Sequence, residues 1–429
     1  MFRWRAVKLL SLLAGLTKRD PHAIIAIDVD PGQPVHVSRS ELWRRTLQLR
    51  ADLATAGVGR GDGVAVWLPN WSHLLDWHVA AASLGAHVVG LGPDTPAGDA
   101  ARVIERARPR VVAIAPRFRD LDPAGRLRDA LAQGGTPVPA VAVVAGPHNR
   151  PPIDPSPWDF GGGAWLPSAT TAGMPMPVTK GDELAVAFGP DLAAHRESAI
   201  VRHALSAAEA IGIRDDDLVA CAEPLTSAFG LGIALAALAG GATCLLEPSC
   251  DDEDTLLDDM ARFGATQLAA GDDVVLRLAD AFDARRRELG TWRWLGIAAV
   301  LGRAQEAATW AEKEFGITVS GVYGSAELLA PVAVWPQGHP APDRWQPGGL
   351  PVSPQIEVRV ADPVSGLPVP DGTQGELQFR GFTVAEAHLG AASTGSERTG
   401  EDWLRTGDLG VRTDDGGFHH LGRIAGSTL

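Results

Sequence analysis

The stretch GVGRGDGVAVWLPN, residues 57–70, carries the first decision about the fold. Glycine at 57, 59 and 61, with Asp62, marks a turn, because glycine reaches left-handed backbone angles without a Cβ clash. Residues 64–68 are apolar at every position rather than at alternate ones. That marks a strand buried on both faces, which Pro69 and Asn70 close. Upstream, Leu42, Leu47, Leu49 and Leu53 recur at helical spacing over residues 39–56. Downstream, 77–85 reads as helix, 86–90 as strand, 100–107 as helix and 111–115 as strand. Strand, helix, strand at this pitch predicts a parallel sheet covered by helices on both faces.

The same reading extends along the chain. Residues 145–177 are dense in proline and glycine without periodicity, and a second strand–helix series follows from 184 to 323. From Gly349 onward short alternating strands with Gly/Pro turns take over. The expected organisation is α/β: a first subdomain over 1–145, a linker over 146–180, a second subdomain with mixed or parallel sheet over 181–345, and a small β subdomain over 346–429.

Composition sets the outer limits. The chain has 429 residues, 45% hydrophobic and 21% charged, which fits a globular protein with a sizeable core and excludes disorder for most of it. A net charge of −14 argues against nucleic acid or an anionic membrane as the main partner. Only four lysines are present, Lys8, Lys18, Lys180 and Lys313, so lysine chemistry has four candidates. Cys221, Cys244 and Cys250 have no metal-like spacing and read as incidental thiols of a reducing cytoplasm. The basic and apolar N-terminus reads as a docking amphipathic helix, not a signal peptide. Residues 228–246 are long enough to span a bilayer, but Gly240 and Gly241 break them into helix, turn and buried strand. The acidic run 251–254, with Asp258 and Asp259, reads as a helix N-terminus rather than a metal site.

Chemistry concentrates towards the C-terminal end. Tyr323, the only tyrosine in the chain, leads Gly324-Ser325-Ala326-Glu327 directly after a strand. It could stack on a planar ligand or simply anchor the strand end, and Glu327 could hold a divalent cation. Gly375-Glu376-Leu377, the segment WLRTGDLG (403–410) and Gly422-Arg423 follow. A carboxylate on a Thr-Gly turn, here Asp408, suits vicinal ribose hydroxyls, and a nearby arginine adds donors for sugar or phosphate.

The order of these pieces resembles the large N-terminal domain of the adenylate-forming (AMP-binding) superfamily, which includes acyl-CoA synthetases, peptide-synthetase adenylation domains and luciferases. The resemblance covers nearly the whole chain. It rests on residues 57–70, on PLTSAFGLGIALAALAGGATCLL (224–246), on VYGSAE (322–327), on PDGTQGELQFRG (370–381), and on WLRTGDLG and GR. It implies the reaction of a small carboxylate or acyl group with ATP to give acyl-AMP and pyrophosphate, usually followed by transfer to a thiol. It implies that Tyr323, with Gly324 and Ser325, meets adenine, that Glu327 binds Mg²⁺, that Asp408 holds the ribose and that Arg423 contacts ribose or phosphate. Gly302 and Ala304 then fall on the small-residue strip beside acyl group and adenine.

Three departures from the family pattern shape the expectation. The phosphate loop, rich in Ser, Thr and Gly and ending in Pro-Lys-Gly, reads GPDLAAHRES over 189–198, with Glu197 at the lysine position. Asp191 and Glu197 are therefore expected to bring negative charge towards the polyphosphate. Ala326 stands for a threonine and Ser227 for an aromatic or histidine gate. The sequence stops at Leu429, so the mobile C-terminal domain with its adenylation lysine is expected to be absent. The combined expectation is a pseudoenzyme-like scaffold with impaired adenylation, binding AMP no worse than ATP. The alternatives are an active ligase completed by a separate lid or carrier protein, with Glu327 and Mg²⁺ in use, and a non-catalytic nucleotide-, acyl- or partner-binding protein.

Overall fold

The computed structural model describes residues 8–29, 32–133, 135, 137–148, 153–167, 181–248, 252–390, 398–399 and 401–424. Residues 149–152 and 168–180 of the expected linker, Lys180 among them, lie outside the described residues, as do Cys250 and Asp251. The architecture is mixed α/β, with ten α-helices among the described residues and two sheets of thirteen and eight strands.

The stretch at 57–70 behaves as its pattern requires. Gly57 and Gly61 have φ of +82° and +84°, and Gly63–Trp67 is a fully buried strand. It runs parallel to His87–Leu91 on one side and Val111–Ile114 on the other, at the centre of the eight-stranded sheet. The helix after it spans His73–Ser83, and it is buried nearly throughout.

Sheet membership does not follow chain order. The N-terminal strands Ile24–Asp28 and Val35–Ser38 form one edge of the larger sheet, where Ile24–Asp28 pairs in parallel with Thr243–Leu246. Conversely, Leu184–Phe188 and Ala193–Arg196 extend the smaller sheet, as does the short strand Ala387–His388. The middle of the larger sheet is parallel: Thr243–Leu246, Leu218–Cys221, Gln267–Gly271, Trp294–Ala298 and Thr318–Tyr323 lie side by side. Antiparallel strands then continue it from Ala333–Val334 through Gly348–Pro351, Phe418–Arg423, Leu404–Arg412 and Gln374–Gly381 to Ile356–Ala361.

Three local readings translate directly. Leu9–Arg19 is a helix that buries Leu9, Leu10, Leu13 and Leu16. Ala228–Gly240 is a helix ended by Gly241 in the left-handed region, and it leads into the buried strand Thr243–Leu246. Among the described residues no helix is long and apolar enough to cross a membrane. The acidic run opens the helix Glu253–Phe263: Asp252 accepts the Thr255 N–H at 3.0 Å, satisfying a donor that the first turn leaves free.

Candidate functional site

Parallel strands deliver their loops to one edge of a sheet, and Tyr323 ends the last parallel strand of the larger sheet. The antiparallel extension folds back beside it, so that Leu404–Arg412 brings Asp408 to the tyrosine hydroxyl. Gly407 makes the turn at φ +68°. Thr406 Oγ1 donates to the Leu377 carbonyl at 2.7 Å and accepts the Asp408 N–H at 3.0 Å. Glu376, buried in the neighbouring strand, accepts from Arg405 Nε at 2.8 Å and from the Gly407 N–H at 3.2 Å. These bonds fix the turn before any ligand arrives.

At the centre, Tyr323 Oη donates to Asp408 Oδ2 at 2.5 Å, and Arg423 Nη1 donates to Asp408 Oδ1 at 2.8 Å. Register forces the second contact, since Asp408 and Arg423 are cross-strand partners. Burial pushes the Asp408 carboxyl upward, but His420, Tyr323 and Arg423 outweigh it and hold the group below the usual carboxylate range. The Tyr323 hydroxyl is driven well above its ordinary value by burial and by the negative charge of Asp408. The Tyr323 ring is only 7% exposed. It stacks on Phe379 with centroids 5.7 Å apart and meets Phe418 edge-on at 5.2 Å.

Ser325, Glu327, Leu404, Arg405, Thr406, Asp408 and Arg423 line a cavity of about 110 Å³. Five of the residues singled out from sequence thus meet in one place: Tyr323, Ser325, Glu327, Asp408 and Arg423. Gly302 and Ala304 are not among the residues lining that cavity. Gly302, at φ +73°, borders a separate open cleft with Arg303, Trp310 and Lys313. Ala304 is buried at the start of the helix Ala304–Phe315. Gly324 packs so closely on Ala330 that a Cβ would stand 2.7 Å from its Cα, which explains the glycine by packing. For Mg²⁺ the cavity offers Glu327, the other lining carboxylate, Asp408, being bonded by Tyr323 and Arg423. That fits an ion which keeps most of its waters and takes one or two carboxylates plus substrate phosphate. Among the described residues no group of three His, Cys, Asp or Glu side chains could cage a metal on its own.

The segment at 189–198 corrects the expectation made for it. Residues 184–196 form a tight antiparallel hairpin, and the helix Glu197–Ile211 starts immediately after. Asp191 is exposed, pairs with Arg106 at 3.4 Å, and sits in a turn whose carbonyls Arg106 also binds. Glu197 does not face a phosphate. Its carboxylate, 2% exposed, takes the Lys8 ammonium at 2.7 Å and the Leu9 N–H at 2.9 Å, capping the first helix from across the fold. Sequence order hid this pair, because 188 residues separate Leu9 from Glu197. His195 points inward: its Nε2 donates to the Ala326 carbonyl at 2.7 Å, and burial depresses its pKa to about 4, so the ring is neutral. Arg196 turns away to Glu386 at 2.6 Å. Ser227 caps the helix Ala228–Gly240 by accepting the Gly230 N–H at 3.0 Å.

A buried carboxylate, a cross-strand arginine and an adjoining glutamate thus meet at a cavity beside the end of the parallel strands, where α/β sheets commonly place small-molecule sites. The chain belongs to the AMP-binding enzyme family, whose pattern matches residues 16–186 and 191–389. It is 27% identical to the 2-hydroxy-7-methoxy-5-methyl-1-naphthoate–CoA ligase of Streptomyces carzinostaticus, over 98% of this chain and 75% of that one. It is 24% identical to 4-coumarate–CoA ligase-like 6 of Oryza sativa subsp. japonica, over 92% and 67% respectively. In fold it is similar to ATP-bound MatB from Rhodopseudomonas palustris, with a TM-score of 0.79 and 22% identity, over 97% of this chain and 79% of that one. It is similar also to the anthranilate CoA ligase AuaEII in complex with anthranoyl-AMP, with a TM-score of 0.80 and 17% identity, over 97% and 78%.

Proposed function

We propose that this protein binds an adenylate, AMP or an acyl-AMP, and activates carboxylates with ATP weakly or not at all. The observation that carries the reading is the Asp408 carboxylate, ionised and pinned between Tyr323 and Arg423 at a cavity on the sheet edge. A carboxylate has about four lone-pair positions, so Asp408 can accept from two ribose hydroxyls while keeping its present donors. Arg423 supplies a cation beside the sugar and the first phosphate. Adenine would meet at most one face of Tyr323, since Phe379 covers the other. Glu327 is the group for Mg²⁺, and an ion there would neutralise phosphate charge. The relatives' names point to an aromatic or other small carboxylate and to a CoA thiol as the class of partners.

The weak step is the polyphosphate. Residues 189–196 carry no hydroxyl and no lysine, and Arg106 staples their turn through the Pro190 and Asp191 carbonyls. Phosphate is ordinarily cradled by loop amides and cations, which this hairpin commits elsewhere. Calorimetry with AMP, ATP and Mg²⁺ tests the reading. AMP is expected to bind at least as tightly as ATP, and tight Mg²⁺-dependent ATP binding refutes it. Pyrophosphate exchange with a panel of aromatic and aliphatic acids is expected at background. Robust exchange, with or without an added lid protein, would establish an active ligase instead.

A further inference from the structure

A separate cavity lies at the edge of the larger sheet away from the antiparallel extension, where the strand Val35–Ser38 stands six strands from the one that ends at Tyr323. At the usual strand spacing that is about 30 Å along the sheet. The strand, the helices Arg39–Thr55 and His73–Ser83, and the chain at Gly146 and Pro147 all contribute lining residues. Its volume is about 310 Å³, against about 110 Å³ at Asp408, and the two cavities share no residue. Small-molecule sites span roughly 300–1,000 Å³, so this space suits a compact ligand.

The lining joins an apolar part, Val35, Val37, Leu49 and Trp77, to a few polar groups that the fold holds in place. Arg45 Nε donates to Asp76 Oδ2 at 2.8 Å, and its Nη2 donates to Ser72 Oγ at 2.9 Å. Asp76, 2% exposed, also accepts from Thr46 Oγ1 at 3.0 Å, and the buried Ser72 donates to Asp28 Oδ2 at 2.6 Å. This network fixes the guanidinium plane and leaves Arg45 Nη1 without a partner among the described residues. His73 lines the same cavity, and its Nδ1 is buried with no partner. Burial and the Arg45 charge hold its pKa well below the ordinary imidazole value, so the ring is neutral and offers one N–H. A buried polar atom left unbonded costs free energy that a ligand can recover. The charge pattern restricts the choice of ligand. Arg44 and Arg45 share the lining with Glu41 and Asp76, so formal charges cancel. A dianion would meet two carboxylates without compensation, whereas one carboxylate needs only the spare donors of Arg45 and His73.

We propose that this cavity is a ligand site of its own, taking a small organic monocarboxylate whose charged end meets Arg45 and His73 and whose apolar body packs on Trp77. The inference is independent of the adenylate reading.

The test is calorimetry with 2-naphthoate, 2-naphthamide and inorganic phosphate, with amide hydrogen exchange to locate the bound probe. 2-Naphthoate is expected to bind at least tenfold more tightly than the uncharged amide and to slow exchange within residues 35–49 and 73–77. Arg45→Lys keeps a cation for Asp76 but loses the Nη1 donors, so it is expected to weaken 2-naphthoate about tenfold or more, the worth of one hydrogen bond to a charged group. His73→Phe keeps a ring of similar size, and is expected to weaken binding at least threefold while melting close to the parent. It decides the matter if Arg45→Lys fails to fold. Absence of 2-naphthoate binding, equal binding of the amide, slowed exchange only outside those residues, or an unchanged affinity in His73→Phe and in folded Arg45→Lys overturns the site. Displacement of 2-naphthoate by an equal concentration of phosphate overturns the choice of a carboxylate.

Discussion

Removing Lys8 tests the orientation of Glu197, on which the account of the phosphate segment depends. The pair is nearly dry, with side chains 10% and 2% exposed and 2.7 Å between charges. Burial already raises the Glu197 carboxyl above its usual range despite Lys8, so desolvation outweighs the attraction. Taking away one partner of such a pair costs roughly 3–5 kcal/mol, because the other charge stays buried. Lys8→Met is therefore expected to lose about 3 kcal/mol in urea unfolding at pH 8. The sign of its pH dependence follows: a carboxyl pKa raised further in the folded state gives stability back as pH falls, so part of the loss returns by pH 5. Glu197→Gln in the same background removes the orphaned charge and keeps an acceptor for the Leu9 N–H. The double variant should thus lie about 2 kcal/mol above the sum of the singles. Glu197→Lys, which restores the family's residue type, sets two cations against each other and should cost more than either neutral variant. It should add no ATP affinity. A loss under 1 kcal/mol for Lys8→Met, additive singles, or a tenfold gain in ATP affinity from Glu197→Lys would refute the orientation.

Two other side chains give independent checks. Burial, with Asp259 and Asp252 nearby, pushes Glu247 up to about 8 from an ordinary 4.5. The folded state therefore retains a proton that the unfolded state has released, and the stabilisation present below pH 4.5 is lost as pH rises through 8. Glu247→Gln should flatten that loss, leaving the variant about 3–5 kcal/mol better than the parent at pH 9 relative to pH 5; parallel stability–pH curves would contradict this. Tyr323→Phe deletes one hydrogen bond to a charged acceptor, so it should lower stability by roughly 1.5–3 kcal/mol and weaken AMP binding by loosening Asp408, both read by calorimetry.

Much of the site was legible because its parts are turns and strand ends with distinctive residues. Tyr323 ends a strand and Glu327 follows it, as their segment suggests, whereas Asp408 and Arg423 lie within paired strands rather than on the turn the Thr-Gly pair suggests. The cavity at Arg45 was not legible: Arg45 and His73 stand on separate helices, and nothing local signals that they line one space. Gly302 and Ala304 show the converse, since small residues near a site need not line its cavity.

By itself the sequence determined the alternation of buried strands and amphipathic helices, because hydrophobic period and glycine placement act over a few residues. It also marked 323–327 and 403–423 as the segments that carry the polar groups meeting at the cavity. The tertiary structure alone decided which strands share a sheet and which way each charged side chain faces. That is why Glu197, adverse to phosphate when read in line, caps the first helix with Lys8. Pairing across 188 residues depends on how two sheets and their helices close on one core, and no local pattern encodes that closure.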